Sequence, residues 1–138
     1  MVKSETISLS TRGNDEILDI TSLLEGVLKN EHIQDGIVTV FVPGSTAAIT
    51  TIEYESGVLT DLKCILQELI PRNRQYNHDA AWGDGNGFAH LRASLIGPSL
   101  TIPFSHQKLM LGTWQQVVFI DFDNRPRQRS LIVQIIGE

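Results

Sequence analysis

The sequence predicts a single α+β domain in which an antiparallel β-sheet or sandwich packs against two main helices. Several runs of apolar and β-branched residues have the length and composition of strands. Two segments instead space their apolar residues three and four positions apart, the period of a helix with one buried stripe. Most of the strand-like runs in the C-terminal half follow one another through short turns, which is typical of antiparallel neighbours.

Length and composition indicate one domain spanning residues 1–138. The chain is 41% hydrophobic and 20% charged, with a net charge of −5, which is typical of a folded globular protein without the basic surface that attracts nucleic acid. No apolar run approaches the ~20 residues that span a bilayer, and the N-terminal segment lacks the apolar core of a signal peptide. The single Cys64 fits a reducing compartment and is predicted to be half-buried. We expect a cytoplasmic protein, with neither nucleic acid nor membrane as its partner.

The first strand and the first helix are predicted from two different periods. Residues 4–10 alternate polar and apolar side chains, the pattern of a half-buried strand. From Ile17 to Leu28 the apolar residues recur at intervals of three and four, so we expect one face of a helix there to be buried. Asn14 or Asp15 is available as its N-cap.

Two strands and a second helix are predicted next. The runs 36–44 and 47–55 are apolar and β-branched, and a Pro-Gly-Ser turn separates them. Helical spacing returns from Val58. Pro71 blocks continuation of this helix, so we expect it to end near Ile70.

The C-terminal half begins with a segment that has no useful periodicity. Residues 72–87 are long for an internal connection, and loops of that length in compact domains are usually functional. Residues 88–97 predict a short helix stopped by Gly97 and Pro98. The remaining strand-like runs, which we expect to form a β-meander, are 99–104, 108–112, 114–123 and 129–137.

The polar segment HDAAWGDGNGFAH, residues 78–90, is a candidate ligand site. Histidine is a common metal ligand, but the spacing of His78 and His90 matches no tight metal-binding motif. Ordinary hydrogen-bonding histidines are therefore the alternative. Asp79 and Asp84 lie in the same segment, and a carboxylate beside a histidine can orient the ring, bind the metal itself or hold a substrate hydroxyl.

The turn between the third and fourth predicted elements is a candidate anion site. Gly44 is followed by Ser45 and Thr46, whose backbone N–H groups and hydroxyls can surround an anion as a phosphate nest does. A plain tight turn is the alternative. Glu53 follows at the end of the next strand. If it points inward it is suited to act as a general base or metal ligand; if it points outward it is a solvated side chain.

Positive charge is concentrated in one place near the C-terminal end of the sequence. Arg125, Arg127 and Arg129 alternate there in an otherwise acidic chain. We interpret them as a solvated hairpin end, and the alternative is a site for an anionic ligand or a partner's carboxylates. Trp114 is interpreted as a core residue, with a stacking surface as the alternative.

Three motifs, in this order and spacing, resemble the YjbQ family, also described as secondary thiamine-phosphate synthase. They are VPGSTAAITTIEYE, HDAAWGDGNGFAHLRASLIGPSLTIP and LMLGTWQQVVFIDFDNRPRQRSLIVQIIGE, and together they cover nearly the whole chain. The resemblance implies a homotrimer with sites near subunit boundaries and a divalent metal, zinc or magnesium, at histidines. It also implies a reaction that joins hydroxymethylpyrimidine diphosphate to a thiazole phosphate and releases pyrophosphate.

Carried onto this sequence, the family's histidines match His78 and His90, which are therefore the expected metal ligands and, with Glu53, the expected catalytic residues. Glu53 matches the strand-end glutamate of the family, and Ser45 and Thr46 match its hydroxyl pair. In the implied reaction, backbone donors, a cationic side chain and the metal stabilise the departing pyrophosphate. The expected substrate- and anion-binding residues are Gly44, Ser45, Thr46, Trp82, Asp84, Asn86 and Arg92.

One position departs from the family's common pattern. Many members have a histidine immediately before the hydroxyl pair, where this chain has Gly44. The departure favours an anion nest at this turn. Two alternatives to the synthase reaction follow from the same residues: a metal-dependent hydrolase, in which the metal lowers the pKa of water, and a non-enzymatic protein that binds a small anionic metabolite.

Overall fold

A computed structural model describes residues 1–138 as two antiparallel sheets and four helices, which confirms the predicted α+β class. The predicted short helix near residue 88 and the two main helices are present, and one further helix is added. The elements are β1 (Val2–Thr11), β2 (Glu16–Asp19), α1 (Thr21–Glu31), β3 (Gly36–Phe41), β4 (Ala47–Ile52), α2 (Ser56–Leu69), α3 (Asn77–Trp82), α4 (Gly87–Ile96), β5 (Ser99–Ser105), β6 (Lys108–Leu109), β7 (Gln116–Asp121) and β8 (Arg127–Gly137).

The strands pair mainly with partners that are distant in sequence. The five-stranded sheet has the order β1-β8-β3-β5-β6, and the three-stranded sheet has the order β2-β7-β4. The predicted β-meander is therefore wrong, because β7 and β8 are interior strands of different sheets. Both strands are rich in large apolar residues. Those of β7 are buried on both faces, and those on the inner face of β8 are buried as well.

Three layers result from this pairing. One apolar cluster fills the space between the five-stranded sheet, α1 and the facing side of the three-stranded sheet. A second cluster lies between the other side of the three-stranded sheet and helices α2 and α4. Strand β7 contributes to both, since Val117 and Phe119 belong to the first cluster and Val118 and Ile120 to the second. It is thus buried on both faces and shows no polar alternation.

The start of the first predicted helix is wrong. Ile17 belongs to β2, where it pairs with Ile120, and α1 begins only at Thr21. Asp19 Oδ1 accepts a hydrogen bond from the Thr21 backbone N at 3.0 Å. Asn14 and Asp15 do not cap the helix, because they lie in the turn before β2, where both have positive φ values. Pairing with β7 satisfies the backbone of this short segment, which overrides its helical spacing.

The segment 72–87 is more ordered than its lack of periodicity predicts. It contains α3, and Gly83 ends this helix in the left-handed region, with φ of +71°, which glycine adopts without steric cost. Helix α4 follows after a short turn, close to its predicted bounds. Cys64 is exposed on α2, so the prediction that it is half-buried is wrong. None of the helices is long and apolar enough to cross a membrane.

Candidate functional site

A cavity of about 560 Å³ lies beside the ends of β4, β7 and β8 and faces α3 and the start of α4. Two segments that are far apart in sequence meet here: the turn after β3 and the segment from His78 to His90. The connection between β7 and β8, with the start of β8, supplies the remaining wall. The expected site residues that line the cavity are Gly44, Ser45, Thr46, His78, Trp82, Asp84, Asn86 and His90.

The two histidines are neighbours in space although twelve positions apart in sequence. Helices α3 and α4 place the ring centroids of His78 and His90 4.4 Å apart, with an angle of 44° between the ring planes. His78 Nδ1 lies 3.4 Å from Asp79 Oδ1 and 3.3 Å from Asp84 Oδ1. Asp79 Oδ1 also accepts a hydrogen bond of 2.8 Å from the Gly87 backbone N, which ties the two helices together.

The donor set around His78 fits a divalent cation. One ligand atom from each of His78, Asp79 and Asp84 lies within 4.8 Å of the other two. Imidazole nitrogen and carboxylate oxygen are both zinc ligands, and bonds of about 2.0–2.1 Å in a tetrahedral site place neighbouring ligand atoms roughly 3.3 Å apart. The 3.3 Å and 3.4 Å separations at His78 match that spacing. The group differs from the expected pair, because its members beside His78 are aspartates and not His90.

A buried polar network forms the floor of the cavity. The Arg129 side chain is 6% exposed and pairs with Asp121, which is fully buried. Arg129 Nε and Nη2 donate to the two carboxylate oxygens of Asp121, each at 2.9 Å, and Nη2 also donates to Thr46 Oγ1 at 2.7 Å. Thr46 Oγ1 in turn donates to Asp123 Oδ2 at 3.0 Å. Asp121 and Thr46 together therefore hold the Arg129 guanidinium in one orientation.

This network also sets the ionisation of Asp121. Burial alone would raise the pKa of its carboxyl, but hydrogen bonds from Arg129, Thr11 and the Asp123 backbone N, with the positive charge of Arg129, lower the pKa below its ordinary value of 3.8. The Thr11 Oγ1 donates to Asp121 Oδ2 at 2.5 Å. Asp121 is therefore a carboxylate at neutral pH, and Arg129 is held by a full negative charge.

The three arginines near the C-terminal end differ in how they are held. Arg129 is buried, Arg127 Nη1 lies 3.5 Å from Asp123 Oδ2, and Arg125 is exposed and forms no ion pair. All three line the cavity. The interpretation as a solvated hairpin end is therefore wrong for Arg129, whereas Arg125 is indeed an exposed side chain.

Arg92 lies outside the cavity and requires a correction. Its side chain is fully buried, and Nη1 donates to both carboxylate oxygens of Asp15 at 3.0 Å. Nε and Nη2 donate to the Ile70 carbonyl oxygen, and Nη2 also donates to Gln67 Oε1. With these partners Arg92 joins α4 to the end of α2 and to the turn before β2, and it has no free donor for a substrate anion.

Glu53 and Trp114 also lie away from the cavity. Glu53 is exposed and lines a separate depression with Asp19, Tyr54 and Trp114, so it points outward. Trp114 is 73% exposed and is not a core residue. Trp82 is 77% exposed at the cavity, which leaves its ring free to contact a ligand.

Two aspartates of the network were not identified from the sequence. Asp121 and Asp123 are both buried and follow the apolar run of β7. Their spacing of two places them on the same face of the chain, and Arg127 and Arg129 have the same spacing on β8. Two aspartates spaced by two at the end of one apolar strand, followed by two arginines spaced by two at the start of the next, are the sequence signal for this network.

Comparisons with known proteins give the chain a family. The family model described as UPF0047 protein YjbQ-like matches residues 5–138. A UPF0047 protein of Methanothermobacter thermautotrophicus is 39% identical over 137 residues, covering 99% of this chain and 94% of that protein. The crystal structure of a YbjQ-like protein of unknown function from Sulfolobus solfataricus covers both chains completely, with a TM-score of 0.89 and 31% identity. A YjbQ/UPF0047 family protein from Clostridium acetobutylicum gives a TM-score of 0.87 and 38% identity over 96% of this chain and 99% of that one. The chain therefore belongs to the YjbQ-like UPF0047 family.

Proposed function

We propose that this chain is a divalent-metal-dependent enzyme that acts on a small phosphorylated substrate. The observation that carries the proposal is that one cavity is lined both by three arginines and by His78 and Asp84, which form a candidate cation-binding group with Asp79. Arginine binds phosphate oxygens with directed, charge-assisted hydrogen bonds. Imidazole and carboxylate together suit a divalent cation such as zinc, and carboxylates also suit magnesium.

The protein's own residues have distinct tasks in this proposal. Arg125, Arg127 and Arg129 bind and orient the phosphate groups. Ser45 lies beside them in the turn after β3, where its hydroxyl adds a polar contact. The Thr46 hydroxyl, which is bonded to Arg129 and Asp123, holds Arg129 in place. When bound at the histidine and aspartate group, a divalent cation supplies electrostatic stabilisation of the phosphate charge that develops in the reaction.

The family resemblance makes the proposed reaction more specific. In it, hydroxymethylpyrimidine diphosphate and a thiazole phosphate form thiamine phosphate and pyrophosphate: a carbon–nitrogen bond forms as the carbon–oxygen bond to the diphosphate breaks. Donors fixed along one wall would stabilise the departing pyrophosphate. The exposed ring of Trp82 offers a stacking surface for one heterocycle.

Hydrolysis of a phosphorylated compound is the second candidate. It is favoured by the character of the cavity, whose 15 lining residues include one hydrophobic residue. Such a lining leaves water inside the cavity, and a protected transfer between two organic substrates benefits from excluding water. In a hydrolase His90, beside His78 and near the cation group, is placed to accept or donate a proton.

Elemental analysis and product assays test these proposals together. The purified protein is stripped with chelator, reloaded with zinc or magnesium, and compared with His78→Ala and with His106→Ala, which removes a histidine far from the cavity. We expect stoichiometric metal in the native chain and in His106→Ala, and its loss in His78→Ala. His90→Ala determines whether His90 is also a metal ligand, as the family resemblance implies.

The product assay then separates the reaction classes. Pyrophosphate that appears only when both heterocyclic substrates are present supports the synthase. Phosphate or pyrophosphate release from one substrate alone supports the hydrolase. Saturable binding of the phosphorylated compounds without turnover contradicts an enzyme and supports a binding protein for small anions.

We also propose that the chain assembles as a homotrimer through the outer face of the five-stranded sheet. Four adjacent strands carry no charged side chain on that face, although the chain is 20% charged. Its apolar members include Ile37 paired with Ile136 and Phe41 paired with Ile132. The outward-facing residues are Val2, Ser4, Thr6, Ser8, Ser10, Ile37, Thr39, Phe41, Ser99, Thr101, Pro103, Ser105, Gln128, Ser130, Ile132, Gln134 and Ile136.

The same face reaches the cavity. Gln128 and Ser130 belong to it and also line the cavity, so contact between copies through this face would place each cavity near a subunit boundary. Light scattering of Ile132→Glu tests the surface, with Leu69→Glu, an exposed apolar residue on α2, as control. Dissociation of Ile132→Glu alone supports the proposal, and an unchanged trimer or a native monomer contradicts it.

A cytoplasmic location is the remaining part of the proposal. It is supported by the single, unpaired cysteine, which is exposed on α2, because free exposed thiols persist in reducing compartments. Cell fractionation followed by immunoblotting tests it.

A further inference from the structure

The Arg129 guanidinium has two hydrogen-bond donors that the protein does not use. A guanidinium carries five N–H groups. The bonds from Nε and Nη2 to Asp121 and from Nη2 to Thr46 occupy three of them, and both N–H groups of Nη1 have no protein acceptor. Donors on a side chain that is 6% exposed are rarely left without a partner.

The unused donors are accessible from the cavity. No buried side-chain nitrogen or oxygen in the structure lacks a hydrogen-bond partner, so Nη1 must reach accessible space, and Arg129 lines the cavity. Its position does not vary freely, because the bidentate pair with Asp121 and the bond to Thr46 fix the plane of the guanidinium. Nη1 is therefore a donor whose direction is set before any ligand arrives.

Gly44 is what keeps this donor accessible. A Cβ atom built on Gly44 would lie 3.0 Å from Arg129 Nη1, which is as close as an acceptor oxygen of a ligand would approach this nitrogen. A methyl group there would meet a guanidinium that cannot easily retreat. The backbone at Gly44 does not need glycine for conformational reasons, since its φ is not positive. Glycine is required at this position because the side chain of any other residue would fill the space beside Arg129 Nη1.

We propose that Arg129 Nη1 is the fixed anchor for a phosphate oxygen of the ligand and that Gly44 is the specificity-determining residue that opens the route to it. The inference rests on the proposed function for its substrate class. Asp121 balances the charge of Arg129, so the anchor contributes directed hydrogen bonds. The exposed Arg125, which has no ion pair, contributes long-range attraction for the anion.

The anchor binds the phosphate group of the ligand and does not contact its organic part. The two N–H groups of Nη1 diverge from one nitrogen, so each can donate to a separate oxygen of the bound phosphate or pyrophosphate. Ser45 and Arg127 line the same cavity and are placed to contact the remaining oxygens. The expected probe is therefore inorganic phosphate or pyrophosphate itself.

Titration calorimetry of Gly44→Ala with inorganic pyrophosphate tests the proposal. The matched control is Gly26→Ala, because a Cβ on Gly26 meets nothing within 4 Å and lies in α1, away from the cavity. We expect Gly26→Ala to bind as the native chain does, and Gly44→Ala to bind at least about tenfold more weakly, as the loss of charge-assisted hydrogen bonds predicts. Thermal unfolding of both variants verifies that the fold is retained.

The outcomes separate this inference from the proposed function. Native binding with undiminished binding by Gly44→Ala overturns the anchor and leaves the phosphorylated substrate in place. Absence of pyrophosphate and phosphate binding by the native chain, with or without metal, overturns the substrate class as well. If Gly44→Ala weakens pyrophosphate and oxalate binding equally, the site recognises anions in general, and the assignment to phosphate is overturned.

Discussion

Arg92 and Arg129 are two buried arginines that pair with aspartates at opposite sides of the three-stranded sheet. They differ in the number of guanidinium N–H groups that have no protein acceptor. Arg92 bonds to Asp15, Gln67 and the Ile70 carbonyl with all three of its nitrogens. Arg129 bonds through Nε and Nη2 only. Both are equally charged and nearly equally buried, yet only Arg129 keeps donors that no protein acceptor uses.

Charge and burial alone therefore do not identify a functional arginine. The number of donors left after the protein's own acceptors are satisfied is the useful criterion. Arg92 joins three elements and is structural. Arg129 is held just as firmly, but the acceptor for its last nitrogen must come from outside the chain.

The largest expected effect comes from removing each guanidinium. Arg92→Met and Arg129→Met each leave a carboxylate without its partner, so we expect each to lower the free energy of unfolding by about 3–5 kcal/mol. Pyrophosphate binding is expected to survive in Arg92→Met and to be lost in Arg129→Met. Urea denaturation and calorimetry on the folded fraction measure the two quantities separately.

A double variant keeps this test decisive if Arg129→Met folds poorly. Replacing both partners, as in Arg129→Met with Asp121→Leu, removes the unpaired buried charge and should restore much of the stability. Binding should stay lost. Recovery of pyrophosphate binding in the double variant would show that Arg129 is structural in the same sense as Arg92.

A smaller effect is expected in the pH dependence of stability. The folded-state pKa of Asp121 is lowered from 3.8, so its ionised form stabilises the fold above that pH, and this contribution is lost as pH falls below about 4 through the folded pKa. Asp121→Asn should therefore show a shallower loss of stability between neutral pH and acid than the native chain. Urea midpoints measured from pH 7 to pH 2.5 test this. Glu16 and Glu55, whose pKa values are also lowered, keep some acid dependence in the variant.

Arg125→Gln sharpens the contrast between fixed and mobile arginines. Because Arg125 is exposed and unpaired, we expect pyrophosphate affinity to fall only about two- to fivefold at low ionic strength. The loss should diminish at high salt, where exposed charges are screened. A loss as large as that in Gly44→Ala, and insensitive to salt, would place the main anchor at Arg125.

The smallest expected effect belongs to Glu53→Gln. Glu53 is exposed and lines a different depression from the cavity, so metal content and pyrophosphate affinity should not change. Both are measured as for the native chain. A clear loss of either would mean that Glu53 reaches the cavity of another copy in an assembly and would contradict our assignment of the site to residues of one chain.

Local pattern predicted much of the fold. Strands β3 and β4 and helices α2 and α4 lie close to their predicted bounds, because apolar β-branched runs, helical spacing and Gly or Pro stop signals are all encoded locally. The start of α1 and the β-meander were wrong for a common reason: which strand pairs with β7 depends on partners elsewhere in the chain. Ile17 pairs with Ile120 across the chain, and no local spacing encodes that contact.

The candidate site, too, was only partly predictable from local sequence patterns. Polar segments that interrupt apolar runs identified the turn at Gly44 and the segment from His78 to His90. The sequence could not distinguish Arg92 from Arg129, because Arg92 is satisfied by Asp15, which is 77 positions away. Hydrogen-bond saturation is a property of three-dimensional neighbours, so it becomes visible only once the chain is folded.

The position of β8 between β1 and β3 makes folding depend on the last segment of the chain to be synthesised. In the five-stranded sheet, β8 lies between β1 and β3 and pairs with both. Residues 42–126 separate β3 from β8 along the chain, and β1 is more distant still. On the ribosome, β1 therefore has no sheet partner until β8 emerges, and the Arg129 that β8 carries arrives with it. Such long-range pairing slows folding. The phosphate anchor and the sheet are completed in the same late event, so a nascent chain cannot bind its ligand before it has folded.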